Sequence, residues 1–457
     1  MKYILLFAAL GWFLPSRATA QVPAALEEYV QLGLANNLSL KQETLGIANA
    51  TENLRQARAL FYPHVTFAPT YSLAAGGRRL QFPVGDLLNP VYKTLNEMTQ
   101  SDRFPQIENV DVQLAPNNFH DTKLSIQYAI YNPEIQYNYL IQQNLLSAQE
   151  ARKYVVENEI RFAIETAYYQ YLQTLEAVHI YETSRNVLNE LVRLNQKLVD
   201  NNVQTKDAVF SAEYERSRLE QQQAEASRNR EVAQAYFNFL LNRDLNSSIR
   251  VDSTVLSQTS ADQLTPSGEL ASLTEQATHN RQEFRQLSHS LEAAQNAVRL
   301  QEMAGKLPSI FVGINTGFQG FGYTFSGQAY AVGQLGLTWD LFKGYERKSK
   351  IQQARIQTYV LQTRQQELEK QIALQVNQAY YDLIAAREGW QATVSGLSKA
   401  EQYFRMIDSR YRNGSVLLIE YVKAQNDVLT ARLQQSVSRY DLLIKYSLLQ
   451  KTISTPN

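Results

Sequence analysis

The chain of 457 residues carries 44 basic and 44 acidic side chains, has no cysteine, and is 11% aromatic. Balanced charge without a basic stripe argues against a nucleic-acid partner. The lack of cysteine excludes disulfides and thiolate metal sites, so packing or assembly must hold the fold.

The N-terminal segment reads as a cleavable signal peptide, residues 1–20. Lys2 supplies a positive start, Tyr3 to Leu14 an apolar core, and Pro15 breaks it. Ala18 to Ala20 then offer the small-x-small pattern of a cleavage site, giving a mature start at Gln21. The apolar core is too short to span a bilayer, which takes roughly 20 residues. No cysteine stands near Ala20 to carry a lipid. Beyond this segment no long uncharged apolar stretch occurs. Any membrane contact is therefore expected from the surface or through a closed β-barrel.

Glu134 to Asn202 contains neither glycine nor proline. Val156, Ile160, Ala163, Ala167, Tyr171, Leu175 and Val178 recur there at steps of three and four. This is a coiled-coil signal, and at ~1.5 Å per residue it predicts a helix of roughly 100 Å. The turn-prone Asp200–Asp207 leads into a return helix ending near Leu241. A matching run extends from about Tyr345 to Arg412, with Gly389 and Gly396 expected to interrupt it. A turn around Gly414 and a return helix from about Leu417 to Gln450 follow. "AYY" at Ala167 and at Ala379, Asn202 and Gly414, and Ala212 and Ala424 all share one offset of 212 positions.

Upstream of each long helix the period changes to two, which predicts strands. Leu124, Ile126, Tyr128 and Ile130 alternate with more polar neighbours, as do Val65, Phe67, Pro69, Tyr71 and Leu73. Leu335, Leu337, Trp339 and Leu341 do the same, and Ile310, Val312 and Ile314 more weakly because of Phe311. Helices ending at Pro63 and Pro308 precede these strands.

The expected organisation is a duplication. Residues 21–242 form a first repeat with a β-hairpin at about 64–131, 243–268 a linker, and 269–457 a second repeat with a hairpin at about 309–342. The fold class is mainly α with a β-barrel portion, built from duplicated long antiparallel coiled-coil helices. A loop rich in Pro, Asn and aromatic residues, from about Ala74 to Asp121, has no counterpart in the second repeat. Four strands cannot close a barrel, and their open edges would aggregate. Strands of about ten residues do suit an outer-membrane barrel, so several chains are expected to share one.

In these features the chain resembles the TolC-like outer-membrane efflux proteins. The most specific stretch runs from Tyr411 to Gln450, with Tyr-x-x-Gly, an acid six positions after the glycine, Ala-Gln, and later Arg-Tyr-Asp-Leu. The resemblance implies a homotrimer whose 12-stranded transmembrane β-barrel continues into an α-helical periplasmic tunnel. It implies a passive exit duct in the outer-membrane lipid, docked by a periplasmic adaptor and an inner-membrane transporter. Tyr411 and Gly414 match the family's helix turn, and Asn202 and Gly414 mark the hairpin tips where an adaptor would dock. Glu420 stands where the first acid of a periplasmic gate ring is expected, and Lys423 where the second acid would be. Val416 replaces a gate arginine, and Asp207 lies near the matching contact of the first repeat. Three copies of Glu420 and Lys423 would make a mixed ring and could pair; the plainer reading is a solvated helix face.

No catalytic constellation, metal-ligand spacing or cofactor motif is present. The five histidines, His64, His120, His179, His279 and His289, show no ligand spacing. Gly317–Gly327 lacks a phosphate-loop lysine and reads as a hairpin turn. The leading function is the exit duct of a tripartite efflux pump for small molecules. The alternatives are the duct of a type I protein-secretion system and, less favoured, a non-conducting periplasmic coiled-coil scaffold.

Overall fold

A computed structural model of the chain describes residues 24–251 and 264–453. The expected signal peptide, 1–20, and the middle of the linker, 252–263, lie outside the described residues. The chain begins with α1 (Ala24–Asn36), α2 (Leu38–Ala59), β1 (His64–Ser72), β2 (Arg79–Phe82), α3 (Val84–Thr99), β3 (Val110–Gln113) and β4 (Phe119–Tyr131). It continues with α4 (Pro133–Asp200), α5 (Lys206–Leu240), α6 (Leu270–Asn280) and α7 (Gln282–Lys306). The last elements are β5 (Ser309–Phe321), β6 (Ala329–Thr338), α8 (Glu346–Arg412) and α9 (Leu418–Ile453).

The structure differs from the sequence expectation at α8, at β6 and in the segment between β1 and β4. Helix α8 runs unbroken through Gly389 and Gly396. Each glycine costs only ~1 kcal/mol against alanine, which a helix of this length absorbs. Strand β6 stops at Thr338, leaving Trp339 and Leu341 beyond it. The loop from 74 to 121 is not structureless: it folds as β2, α3 and β3, and β4 already begins at Phe119.

The long helices stop by one device. At the end of α4, Asn202 takes φ 58°, Val203 N–H donates to Leu198 O at 2.8 Å and Asn202 N–H to Val199 O at 2.9 Å. At the end of α8, Gly414 takes φ 70°, with Ser415 N–H to Arg410 O at 2.8 Å and Gly414 N–H to Tyr411 O at 3.0 Å. This paired bonding around a left-handed residue satisfies carbonyls that the helix end leaves bare. Asn242 closes α5 in the same way.

The chain divides into two compact units, and each draws segments from both of the expected repeats. The first contains the described parts of 1–50, 145–291 and 359–457. Its larger core gathers Leu26 and Val30 of α1, Ile164 and Tyr168 of α4, Phe237 of α5, Ile372 and Leu383 of α8 and Tyr440 of α9. Tyr29, Tyr168 and Phe237 form an aromatic triangle with ring centroids 5.1 to 6.1 Å apart. A Cβ on Gly33 would lie 2.3 Å from Ile164, so the missing side chain lets α1 approach α4 closely. The two repeated Tyr pairs are used unequally: Tyr168 and Tyr169 are buried, whereas Tyr381 is exposed.

The second unit, 51–144 and 292–358, holds the strands. Four of them form one antiparallel sheet in the order β1-β4-β5-β6, so the central pair, β4 with β5, joins the two expected hairpins. Strands β2 and β3 form a separate two-stranded sheet.

Candidate functional site

The register of the four-stranded sheet sorts its side chains. Phe67 lies opposite Leu124, Val65 opposite Ile126, Ile126 opposite Ile314, and Tyr128 opposite Val312, which faces Leu335. Residues opposite one another share a face, so the alternating apolar sets of β1 and β4 and their partners Ile310, Val312, Ile314, Leu335 and Leu337 fall on one side, while Phe311 and Val332 fall on the other. That side is exposed, with Phe67 at 68% and Leu335 at 76%. The other face carries Thr66, Ser125, Gln127, Asn315 and Gln334. It also carries a small polar cluster in which Lys123 Nζ and Tyr330 Oη both donate to the Asp121 carboxylate at 2.9 Å.

Aromatic residues bound the apolar band. At the loop end, Tyr71, Tyr323, Phe325 and Phe318 cluster around His120, with ring separations of 5.0 to 6.0 Å. His120 is fully buried there, its Nε2 beside Thr324 O and Gln328 Oε1. At the end joined to the helices, Tyr131, Trp339, Phe342 and Tyr345 are exposed. Both outer strands, β1 and β6, have one edge unpaired within the sheet. Among the described residues, no helix is long and apolar enough to cross a membrane.

The second candidate site lies in the first unit, where the α4–α5 and α8–α9 hairpins turn. A cluster of Leu188, Leu191, Ala212, Ile407, Tyr411 and Ala424 packs there, with Val416 partly buried against it. The structure places Tyr411 inside this cluster, at 2% exposure, and not on the surface. Its Oη donates to Asn195 Oδ1 at 2.6 Å, and Asn195 Nδ2 donates to Ala208 O at 3.2 Å. One phenol and one amide thus tie the end of α8 to the end of α4 and the start of α5. Tyr421 packs on Tyr411 at a tilt of 47°, with centroids 5.0 Å apart. Burial, followed by the Asp408 carboxylate, pushes its phenol above the usual range. Arg412 spans Asp408 at 3.0 and 3.1 Å, and Arg432 reaches Glu401 at 2.8 Å.

The charged residues expected at a gate lie outside this clasp. Asp207, Glu420 and Lys423 are all exposed. Asp207 and Glu420 sit in the first turns of α5 and α9, where the helix dipole favours an acid. Asp207 accepts a hydrogen bond from Thr205 Oγ1. No ion pair joins Glu420 to Lys423 among the described residues. The tip glycine and asparagine, Gly414 and Asn202, occupy equivalent left-handed positions.

The sequence profile of the outer membrane efflux protein family matches residues 273–454. No curated protein sequence matches the chain. Solved structures do. The outer-membrane channel OprN is 15% identical, covers 94% of this chain and 89% of its own, and superposes with TM-score 0.76. The CmeC outer membrane channel of Campylobacter jejuni is 15% identical over 94% of this chain and 86% of its own, also at 0.76. CusC is 14% identical over 98% of this chain and 95% of its own, again at 0.76. The fold is that of the TolC-like outer-membrane efflux proteins.

Against the TolC-like expectation, Asn195 is the residue that sequence reasoning missed. It stands 216 positions from its partner Tyr411, and its one local signal is its place on the three-and-four-step seam of Leu188, Leu191 and Leu198. Val416, at the position where the resemblance implies an arginine, contributes apolar packing. His179 is a surface residue of α4, and no cluster of metal-ligating side chains occurs among the described residues.

Proposed function

We propose that this protein is an outer-membrane channel, the passive exit duct of a tripartite efflux pump. The observation that carries the reading is the sheet: one face apolar between two aromatic zones, one face with most of the polar side chains, and both edges open. Aromatic zones flanking an apolar band suit the two interfaces of a bilayer. Open edges beside an exposed apolar face are an aggregation hazard unless another chain pairs with them. Three copies contributing four strands each would close a 12-stranded barrel with the polar face inward. The long helices of the repeats 21–242 and 269–457 would continue it as a periplasmic tunnel, and a leader at 1–20 would direct export.

The duct needs no chemistry of its own. An inner-membrane transporter and a periplasmic adaptor would supply energy and cargo, with the adaptor meeting the tips around Asn202 and Gly414. The Tyr411–Asn195 clasp would keep the hairpins together at the gate, while Glu420, Lys423 and Asp207 present charge to the aqueous path. Efflux is favoured over protein secretion because the matching family profile is that of efflux proteins.

The test is conductance of the purified protein in planar bilayers. Discrete channels are expected, and Glu420→Ala combined with Lys423→Ala should change their conductance or ion selectivity. A protein that inserts without conducting refutes the duct; an unchanged conductance in the double variant removes the pair from the path.

A further inference from the structure

The folded insertion between β1 and β4 carries more apolar surface than a solvent-facing loop requires. In its two-stranded sheet, Leu80 pairs with Val112 and Phe82 with Val110, so all four side chains share one face, each 41% to 47% exposed. The opposite face is polar, with the Arg79–Asp111 ion pair at 2.9 Å. Helix α3 shows a second stripe: Leu87, Val91 and Met98 lie on one side and are 51% to 77% exposed.

The insertion is well held from within. Asn89 exchanges two hydrogen bonds with the backbone of Ile107, at 2.8 and 2.9 Å, and Asn96 two with Phe104, at 2.7 and 3.0 Å. Tyr92 packs against Phe104 with ring centroids 5.8 Å apart. Its internal polar needs are met while its apolar surfaces point outward, which marks an interaction site.

Two observations select the occupant. The insertion follows directly from the open edge strand β1, and Gln113 Nε2 donates to Ala74 O and Gly76 O, anchoring it at the end of that strand. Six residues separate Ser72 from Arg79, a reach of at most about 25 Å, while a strand paired to β1 would lie only ~4.8 Å away. The insertion therefore stands beside whatever chain completes the barrel. Its charge is nearly balanced between four basic and five acidic residues over 73–118. That balance offers no attraction to an anionic lipid surface.

We infer that the insertion clamps neighbouring copies of this chain at the outer rim of the barrel. The apolar sheet face of one insertion receives the α3 stripe of the next, a head-to-tail contact that closes under three-fold symmetry. The inference rests on the shared-barrel reading.

The natural chain has no cysteine, so introduced thiols report cleanly. Val91→Cys combined with Val112→Cys, treated in outer membranes with a short bis-maleimide, should give covalent dimers and trimers on denaturing gels. Each single variant should stay monomeric there. Particle mass in mild detergent is measured in parallel. Trimers that label fully at both thiols yet yield no inter-chain product overturn the clamp and leave the barrel standing. An environment-sensitive dye at Val91→Cys whose emission follows lipid composition, again without cross-links, assigns the stripe to acyl chains and also overturns it. Monomeric particles sink the barrel reading and the clamp together.

Discussion

Removing one hydroxyl at the helix tips gives a quantitative test of the clasp. In Tyr411→Phe, the ring still fills its place between Ile407 and Tyr421, but Asn195 Oδ1 loses its 2.6 Å donor. Asn195 is fully buried, so water cannot replace that donor without local opening. Leaving a buried acceptor unpaired costs about 1–3 kcal/mol. The tip should then open roughly 5- to 150-fold more often. Hydrogen exchange at Val203, Gly414 and Ser415, whose amides close the two helix turns, reads this directly. Asn195→Leu should produce a similar rise. The double variant should fall short of the sum, because both polar partners are gone. Exchange at these amides unchanged by Tyr411→Phe would refute the clasp, and strict additivity would show that the two groups do not act together.

Other consequences follow from the same geometry. Gly414→Ala should cost about 1–2 kcal/mol at the α8 tip because alanine resists φ 70°; Asn202→Gly should be neutral or slightly stabilising, and tip exchange measures both. Leu335→Arg on the apolar face should cost about 2–4 kcal/mol of membrane stability and reduce assembled protein. Gln334→Arg on the other face should assemble normally and shift ion selectivity, and equal defects in the two would refute the facing of β6. Burial pushes the Glu165 carboxyl above its usual range, against the opposing pull of Ser447 and Arg161. The folded state thus holds that proton more tightly than the unfolded state. The contribution is favourable in acid and lost as pH rises through the raised value. Glu165→Gln should therefore melt higher than the natural protein at neutral pH, with the advantage vanishing in acid; a constant difference across pH would contradict the assignment.

Much of the architecture was legible because period and repetition are local properties. Val156 to Val178 announce α4 by spacing alone, and Leu124 to Ile130 announce β4. The 212-position offset located both tips before the common left-handed turn was visible. Pairings between distant segments were not legible. That β4 would pair with β5 depends on a whole register, and a bulge between Ala129 and Tyr131 shifts it at one end. Helix α3 was hidden because Pro90 lies within it and reads as a breaker. Its true partners, the backbone groups of Phe104 and Ile107, carry no side-chain signature. At the tips, Glu420 and Lys423 attract attention as charges, yet the contact that binds the hairpins is the buried pair Tyr411 and Asn195. Buried polar contacts depend on three-dimensional juxtaposition, which residue type alone does not reveal.

If several copies of this chain close one barrel, the particle isolated from the membrane must contain several chains. The direct measurement is the mass of the mature protein extracted in mild detergent from purified outer membranes, with the bound detergent subtracted. Three chains per particle are expected in that fraction. A single chain per particle, recovered from the soluble periplasm, would contradict the shared barrel.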